Sequence, residues 1–554
     1  MGRDAFLYSR FREHFRYEPT EGQDSFLHQM AEFLTGDAGD IMILNGYAGT
    51  GKTTVISSVI AGLKEFDVPC VLLAPTGRAA KVLSMYSGCP AYTIHKQIYR
   101  QKSVGDDGLG LFSLAPNKAK DTLFVVDEVS LIGIDGGTQS QVTFGTGNLL
   151  EDLIGYVRSG IGCRMVLIGD AAQLPPVGHE YSPALAHEYM DTFGGVSWAE
   201  LTDVVRQGEK SGILFNATNL REMIAEDYES GGAMFPLGGI ELSVTGFTDI
   251  ERIGGGELID ALTDAYDKYG EDETIVLCRS NKRANRYNAG IRGAVQYKEE
   301  RLVRGDKLMV VKNCYQFLDD IKDMDYIANG DIVKLISINH YTDRYGLHFA
   351  DARMSFPDYG DQEITAKVCL DTLDSEAASL TYEQQNALYL GVSEDYAHLP
   401  TKKKRYDAVR EDPFYNALQL KYANAITCHK SQGGQWKCVF IDNPFWQDEF
   451  NADDYKWLYT ALTRAVEKVY LINFKDEYFL SYARRFWQRL HSCQCQRRRR
   501  ISTGFRRDGS GWTIPMQHSL MTVHSPMRKP FLSMFPITER LADFMPRINI
   551  RIIR

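Results

Sequence analysis

Residues 46–53 read GYAGTGKT, which fits the spacing G-x-x-x-x-G-K-T. Glycines at 46, 49 and 51 allow backbone N–H groups to close around phosphate oxygens. Lys52 has the length and charge to reach the outer phosphates, and the Thr53 hydroxyl suits Mg²⁺. The nucleotide contacts expected from this loop are Gly46, Ala48, Gly49, Thr50, Gly51, Lys52, Thr53 and Thr54. A second motif, LFVVDEVS at 123–130, places Asp127 at the end of an apolar run, where a carboxylate holds Mg²⁺ through water. Glu128 follows it, placed to orient or deprotonate an attacking water. Two acids at a strand end would alone read as a solvated turn. Their pairing with a phosphate loop favours the catalytic reading, with ATP and Mg²⁺ as the implied cofactors. Gln23 precedes the loop; its amide donates and accepts at once, which suits an adenine edge, although glutamines are more often surface residues.

These groups need a frame. The runs IMILN, CVLLAP, TLFVVDE and RMVLIGD are short, apolar and bounded by Gly, Pro or polar residues, with amphipathic segments between them. That rhythm predicts a parallel sheet covered by helices on both faces. It returns in TIVLCRS, KCVFID and VYLINF, which predicts a second α/β domain split in sequence. Between its halves, DKLMVVKN, NGDIVKLISINH, GLHFADARM and EITAKVCL read as short strands of a β-rich insert. Segments 100–118 and 132–148 are Gly-rich and polar, as loops or hairpins are. No internal repeat is visible.

Composition narrows the class. The chain has 554 residues, 44% apolar and 24% charged, as expected of a soluble protein with several cores. No run of about 18 apolar residues appears, and the N-terminus lacks a signal-peptide core. Ten cysteines occur without a CxxC pair, so neither a zinc site nor a disulfide framework is expected, and the location reads as cytoplasmic. The net charge of −10 is unevenly spread: residues 491–554 hold 12 Lys or Arg against 3 Asp or Glu. The acidic remainder argues against a protein that coats nucleic acid indiscriminately, while a local basic groove stays compatible with it.

GDAAQLPPVG at 169–178, together with LAPTGRAAKVL, YTIHKQIY, LTDVVRQ, ITCHKSQGGQW and WLYTALTRA, resembles the ordered motif set of superfamily-one helicases. The flavour is subfamily B, that of Dda-like and RecD-like DNA helicases, with a UvrD-like C-terminal motor domain, and the resemblance runs over about residues 15–480. It implies an α/β fold of two RecA-like P-loop motor domains, with a small β-hairpin insert in the first and an SH3-like β-rich insert in the second. The expected division is 1–200 for the first motor domain, 201–298 with 416–480 for the second, and 299–415 for the insert. It also implies an ATP-dependent motor on single-stranded DNA, usually moving 5′ to 3′ and unwinding duplex. By match, Gln23 contacts adenine, Gln173 senses the γ-phosphate, and Arg206 and Arg464 reach that phosphate from the second domain. Phosphoryl transfer needs positive charge where the transition state spreads its negative charge, and an arginine on a facing lobe supplies it only on closure.

Candidate DNA contacts are Thr76, Arg78, Thr93, His95, Thr427, His429, Lys430, Ser431 and Gln432, at strand ends or helix starts. Hydroxyls, amides and helix N-termini there hold phosphates without reading sequence. Tyr92, Tyr99 and Trp436 are candidates for stacking on bases, although most aromatics in a chain this long are core. The stretch 100–118 matches the family's strand-separating hairpin, with Phe112 or Leu111 to press on the terminal base pair; an ordinary exposed loop is nearly as good a reading. Residues 133–153 form a longer connection than the family needs, and a simple cap over the cleft is one reading of it. The tail 491–554 departs from the family and reads either as a basic extension or as a disordered or non-native run without function. The expected partners are single-stranded DNA, single-to-double-strand junctions and replication or repair proteins, with no membrane, and the protein acting as a monomer. Two other readings stay open: a RecD-like motor subunit of a larger nuclease, and an ATPase-dead DNA-binding scaffold.

Overall fold

The four apolar runs of the first half become parallel strands because each is buried on both faces by helices. With two further strands they form a six-stranded sheet in the order Ala91–Thr93, Cys70–Ala74, Leu123–Val126, Arg164–Gly169, Ile41–Gly46, Val196–Leu201. Ile41–Gly46 lies next to the edge, pairing Ile41 with Met165 on one side and with Val196 on the other. Helix Lys52–Lys64 runs back along the sheet and buries Val55, Ile56, Val59, Ile60 and Leu63. Helix Glu21–Thr35 starts at a capping box in which the Thr20 side chain takes the Gln23 N–H and the Gln23 side chain takes the Thr20 N–H.

This computed structural model describes residues 2–479 except 38, 105–109, 135–142, 205–209, 230–239, 315, 319–326 and 446–449. Arg206, the hairpin tip and the tail 491–554 therefore lie outside the described residues.

A second parallel sheet has the order Ile250–Ile253, Ala465–Ile472, Trp436–Asp442, Thr274–Cys278, Ala425–Thr427. Its core includes Ile275, Val439, Ile441, Leu458 and Leu471. Between Thr274–Cys278 and Ala425–Thr427 the chain builds a closed barrel from Lys307–Val310, Ile332–Arg344, Leu347–Phe356, Gln362–Cys369 and Leu418–Tyr422. The expected β-rich insert is thus a barrel. Its last strand is delayed by two helices, Tyr382–Asp395 and Lys402–Glu411, that the alternating strand pattern did not foretell.

The barrel docks on helix Gly77–Ser87 of the first sheet's lobe. Lys81 donates to the Pro357 carbonyl at 2.9 Å and pairs with Asp358 at 3.0 Å. A Cβ on Gly77 would fall 2.8 Å from the Tyr359 hydroxyl, so the helix start and the barrel turn are in direct contact. Tyr99–Val104 and Gly110–Leu114 form the expected hairpin. In the long connection 133–153, Thr143–Phe144 joins the hairpin as a third strand, beside Leu111 and Phe112, and the end begins helix Leu149–Arg158. Both sheets and the barrel lie within one compact unit, Met1–Tyr482. Among the described residues no helix is long and apolar enough to cross a membrane.

Candidate nucleotide site and nucleic-acid track

Strand Ile41–Gly46 ends where residues 46–53 turn sharply. Gly49 and Gly51 take φ of 78° and 80°, the left-handed region that a side chain disfavours. No side chain caps helix Lys52–Lys64, so its first-turn N–H groups stay free for an anion. The Lys52 ammonium folds back over the loop, donating to the Gly46 carbonyl and, at 3.2 Å, to the Tyr47 carbonyl. Thr50 donates to the Tyr47 carbonyl at 2.8 Å, while Thr53 and Thr54 sit half-buried in the first turn. Gln23 is buried, and its amide nitrogen donates to the Thr50 carbonyl at 2.8 Å. With its oxygen on the Thr20 N–H, that amide ties the preceding helix to the loop, so an adenine contact would have to compete with these bonds.

Asp127 and Glu128 follow strand Leu123–Val126 directly. Burial, and then the Glu128 carboxylate, push the Asp127 carboxyl up to about 7, against the opposing pull of Lys52. The Glu128 N–H donates to Asp127 at 2.8 Å, and Glu128 itself holds a left-handed φ of 54°, a strained position for a non-glycine residue. A buried acid disfavoured as a carboxylate, set beside a cationic phosphate loop, is a donor set suited to a divalent cation. Among the described residues no trio of His, Cys, Asp or Glu forms a separate metal cage.

The opposite wall comes from helix Ala452–Leu462, whose start is fixed by a capping box between Asn451 and Asp454. Just past its end Arg464 is 3% exposed and donates to the Thr460 and Gly434 carbonyls. Its guanidinium lies 3.9 Å from Glu128. Two hydroxyls of the same helix also cross to the first lobe. The Thr460 hydroxyl accepts from the Leu174 N–H at 2.8 Å. The Tyr459 hydroxyl accepts from the Ala48 N–H at 2.8 Å and donates to Asp170 at 2.6 Å. Gln432 adds a bond to the Leu174 carbonyl at 2.7 Å. Gln173 lies between these bridges, buried, with its side-chain oxygen lacking a hydrogen-bond partner. Tyr459, Thr460 and Asp170 were not singled out in the sequence, although all three sit inside quoted motifs. For Tyr459 and Thr460 the signal was a pair of adjacent hydroxyl residues within the apolar run WLYTAL.

The track residues separate into two kinds. Thr76 and Thr93 cap the helices Gly77–Ser87 and Ile94–Ile98, accepting from Ala79 and Lys96. Arg78 stacks 4.0 Å from the ring of Trp436 and bonds the Gln435 carbonyl, so it joins the lobes. Thr427 starts helix Cys428–Ser431, the Ser431 hydroxyl turns inward to the Cys428 carbonyl, and His429 is exposed. The Lys430 ammonium is buried without a hydrogen-bond partner, and burial, with Lys421, lowers it to about 8. His95 packs edge-on to Phe144, with ring centres 5.0 Å apart, and burial lowers it to about 4, so it stays neutral. Phe112 stacks on Phe144 at 4.7 Å, away from the hairpin's tip. Of the three stacking candidates, Trp436 and Tyr99 are core at 1% and 4% exposure, and Tyr99 is bonded to Asp152; Tyr92, at 41%, faces solvent.

A phosphate loop and paired acids on one parallel sheet, faced by an arginine from a second, form the arrangement of a P-loop nucleotide site between two RecA-like lobes. Residues 21–227 match the AAA domain model, and residues 422–472 match the UvrD-like helicase C-terminal domain. The ATP-dependent RecD2 DNA helicase of Deinococcus radiodurans is 30% identical over 203 residues, 36% of this chain and 25% of that protein. The chain thus spans about a quarter of that relative's length. The ATP-dependent DNA helicase dda of Enterobacteria phage T4 is 25% identical over 449 residues, 77% of this chain and 92% of that one. A solved structure of two coordinating Pif1 helicases at forked dsDNA aligns with a TM-score of 0.42 at 16% identity, covering 86% of this chain and 98% of that one. In its ordered motifs and in the two domain models it matches, the chain is similar to helicases of the superfamily-one, subfamily B type.

Proposed function

We propose that the protein is an ATP-driven motor that moves 5′ to 3′ on single-stranded DNA and unwinds duplex ahead of it. The observation that carries this reading is Arg464: it belongs to the second lobe and lies 3.9 Å from Glu128 of the first. A cation so placed meets the charge of phosphoryl transfer only while the lobes are closed. Nucleotide binding then favours closure, and hydrolysis removes the reason for it.

In this reading Lys52 and the amides of residues 46–53 hold the phosphates, Thr53 and Asp127 hold Mg²⁺, and Glu128 orients the attacking water. Held there, Mg²⁺ would supply positive charge against the phosphates. Gln173, whose side-chain oxygen is buried and unpartnered, is suited to read the terminal phosphate, and Arg206 to join Arg464 there. Thr76, Thr93, Thr427, His429 and Lys430 contact the DNA backbone, Arg78 and Gln432 brace that surface across the lobes, and Ser431 fixes its own helix turn through the Cys428 carbonyl. His95 and Phe112 act through the hairpin they support, in contact with Phe144. The domain division 1–200, 201–298 with 416–480, and 299–415 belongs to the same proposal, as does action by a monomer.

Strand displacement on 5′-tailed, 3′-tailed and blunt duplexes with ATP tests it. Unwinding confined to the 5′-tailed duplex, and absent in Lys52→Ala, is expected. Unwinding only from the 3′ tail would refute the direction, and none from any substrate would refute the activity.

A further inference from the structure

The bridge from Tyr459 does more than join two lobes. Asp170 begins the loop after strand Arg164–Gly169 and is 1% exposed. One of its oxygens accepts from the Ala172 N–H at 3.0 Å, and the other accepts from the Tyr459 hydroxyl at 2.6 Å. That second oxygen is also 3.9 Å from the Lys52 ammonium, beyond hydrogen-bond reach. The ammonium is held by the Gly46 and Tyr47 carbonyls, which compete weakly with a phosphate. A carboxylate would compete strongly, because a charge-assisted bond is roughly twice as strong as a neutral one. Burial and the Asp170 charge push the Tyr459 phenol well above its usual range, so it stays a donor. Its ring sits 1% exposed in the second lobe's core, so the hydroxyl moves with that lobe.

We propose that Tyr459 is a positioning residue whose hydroxyl keeps Asp170 from capturing Lys52. When the lobes close, the phenol occupies the Asp170 oxygen, and Lys52 is free to hold phosphates. When they part, the phenol leaves with its helix, and Asp170 pairs with the nearby ammonium. Lys52 then leaves the phosphates, and the loop's grip weakens as the cleft opens. Opening and product release thereby become one event. The same hydroxyl also accepts from Ala48, so closure sets one loop amide directly. The inference rests on the reading of residues 46–53 as a triphosphate site. It does not need DNA, direction or unwinding.

The test is a double-mutant cycle on the full chain, read as the affinity of a fluorescent ADP or ATP analogue without DNA. Tyr459→Phe keeps the ring and removes the donor. With Asp170 present it should weaken nucleotide binding about tenfold, the effect of losing one charge-directed hydrogen bond. In an Asp170→Asn background the same change should cost less than about twofold, because no carboxylate remains to take Lys52. A merely structural tyrosine would weaken binding equally in both backgrounds, and that result overturns the proposal. So does undiminished affinity in Tyr459→Phe. If Tyr459→Phe does not fold, Asp170→Asn alone decides: removing the competitor should leave nucleotide binding as tight or tighter, and a tenfold weakening contradicts the account. Because affinity is the readout, a chain that binds nucleotide normally but unwinds nothing would sink the motor reading and leave this one standing.

Discussion

Each lobe carries a strand, a glycine turn and a helix at the same end of a parallel sheet, and only one of them is built for phosphate. In the first lobe, residues 46–53 join Ile41–Gly46 to Lys52–Lys64. In the second, Gly254, Gly255 and Gly256 join Ile250–Ile253 to Leu258–Tyr269, beside a cavity of about 590 Å³. The second turn has answered its own charges. Glu257 accepts from the Gly254 N–H at 2.7 Å, Arg252 pairs with Asp476, and Lys475 pairs with Glu477 at 3.2 Å. Neither helix has a side-chain cap, but in the first turn no carboxylate is hydrogen-bonded to Lys52, which rests on carbonyls. Glycines and a helix start supply the shape of an anion site. What decides its use is whether the protein's own carboxylates have already taken the donors.

The largest expected effect breaks or keeps that contrast directly. Lys52→Ala should lower ATP hydrolysis at least about a hundredfold, as loss of a preorganised charge at a transferring phosphoryl group does. Glu257→Gln at the second turn should leave it within about twofold, since that turn contacts no phosphate. Comparable losses in a steady-state ATPase assay would erase the distinction between the two turns.

Much of the frame was legible in the residues. IMILN, CVLLAP, TLFVVDE and RMVLIGD are strands because an apolar run of that length between turn residues has nowhere to go but a buried sheet. Val196–Leu201 escaped notice because its run, VSWAEL, alternates and carries an acid, as an outer strand of the sheet can. The barrel's four alternating strands were visible, yet its closure depends on Leu418–Tyr422, which arrives only after two helices. Lys52, Asp127, Glu128 and Arg464 could be named from motifs, since each needs a fixed local spacing. Tyr459 and Asp170 could not, because their chemistry arises from a contact between residues 289 apart in sequence. Trp436 and Tyr99 show the converse: an aromatic beside a motif carries no sign of whether its face is covered, and here both are core.

A smaller effect separates the cleft from the hairpin. Phe112 lies on Phe144, within a three-stranded sheet apart from the phosphate loop. Phe112→Ala should therefore reduce duplex unwinding severalfold while sparing hydrolysis stimulated by single strands. Equal losses in the two assays would tie the hairpin to the cleft instead.

The smallest effect concerns the barrel, which has a buried acid of its own. Burial pushes Asp331 up to about 7, against the hydrogen bonds from the Ala328 N–H and the Tyr359 hydroxyl. Asp358, bound to Lys81, adds to the rise. An acid whose folded value is raised binds its proton more tightly when folded, so stability falls as pH climbs from about 4 to about 7 and then levels. Asp331→Asn should remove that slope, narrowing the melting-temperature difference between pH 5 and pH 8 by a few degrees in a thermal scan. An unaltered slope would place the titrating group elsewhere.

Two lobes that close on a triphosphate make one demand above all others, that the far lobe supply the charge. ATP hydrolysis measured with and without oligo-dT, for the wild type and for Arg464→Ala, tests it most directly. The account predicts strong stimulation in the wild type, and a loss of about a thousandfold in turnover with nucleotide affinity retained in Arg464→Ala. A wild-type chain that consumes no ATP beside oligo-dT, or an Arg464→Ala chain that turns over unchanged, would contradict it.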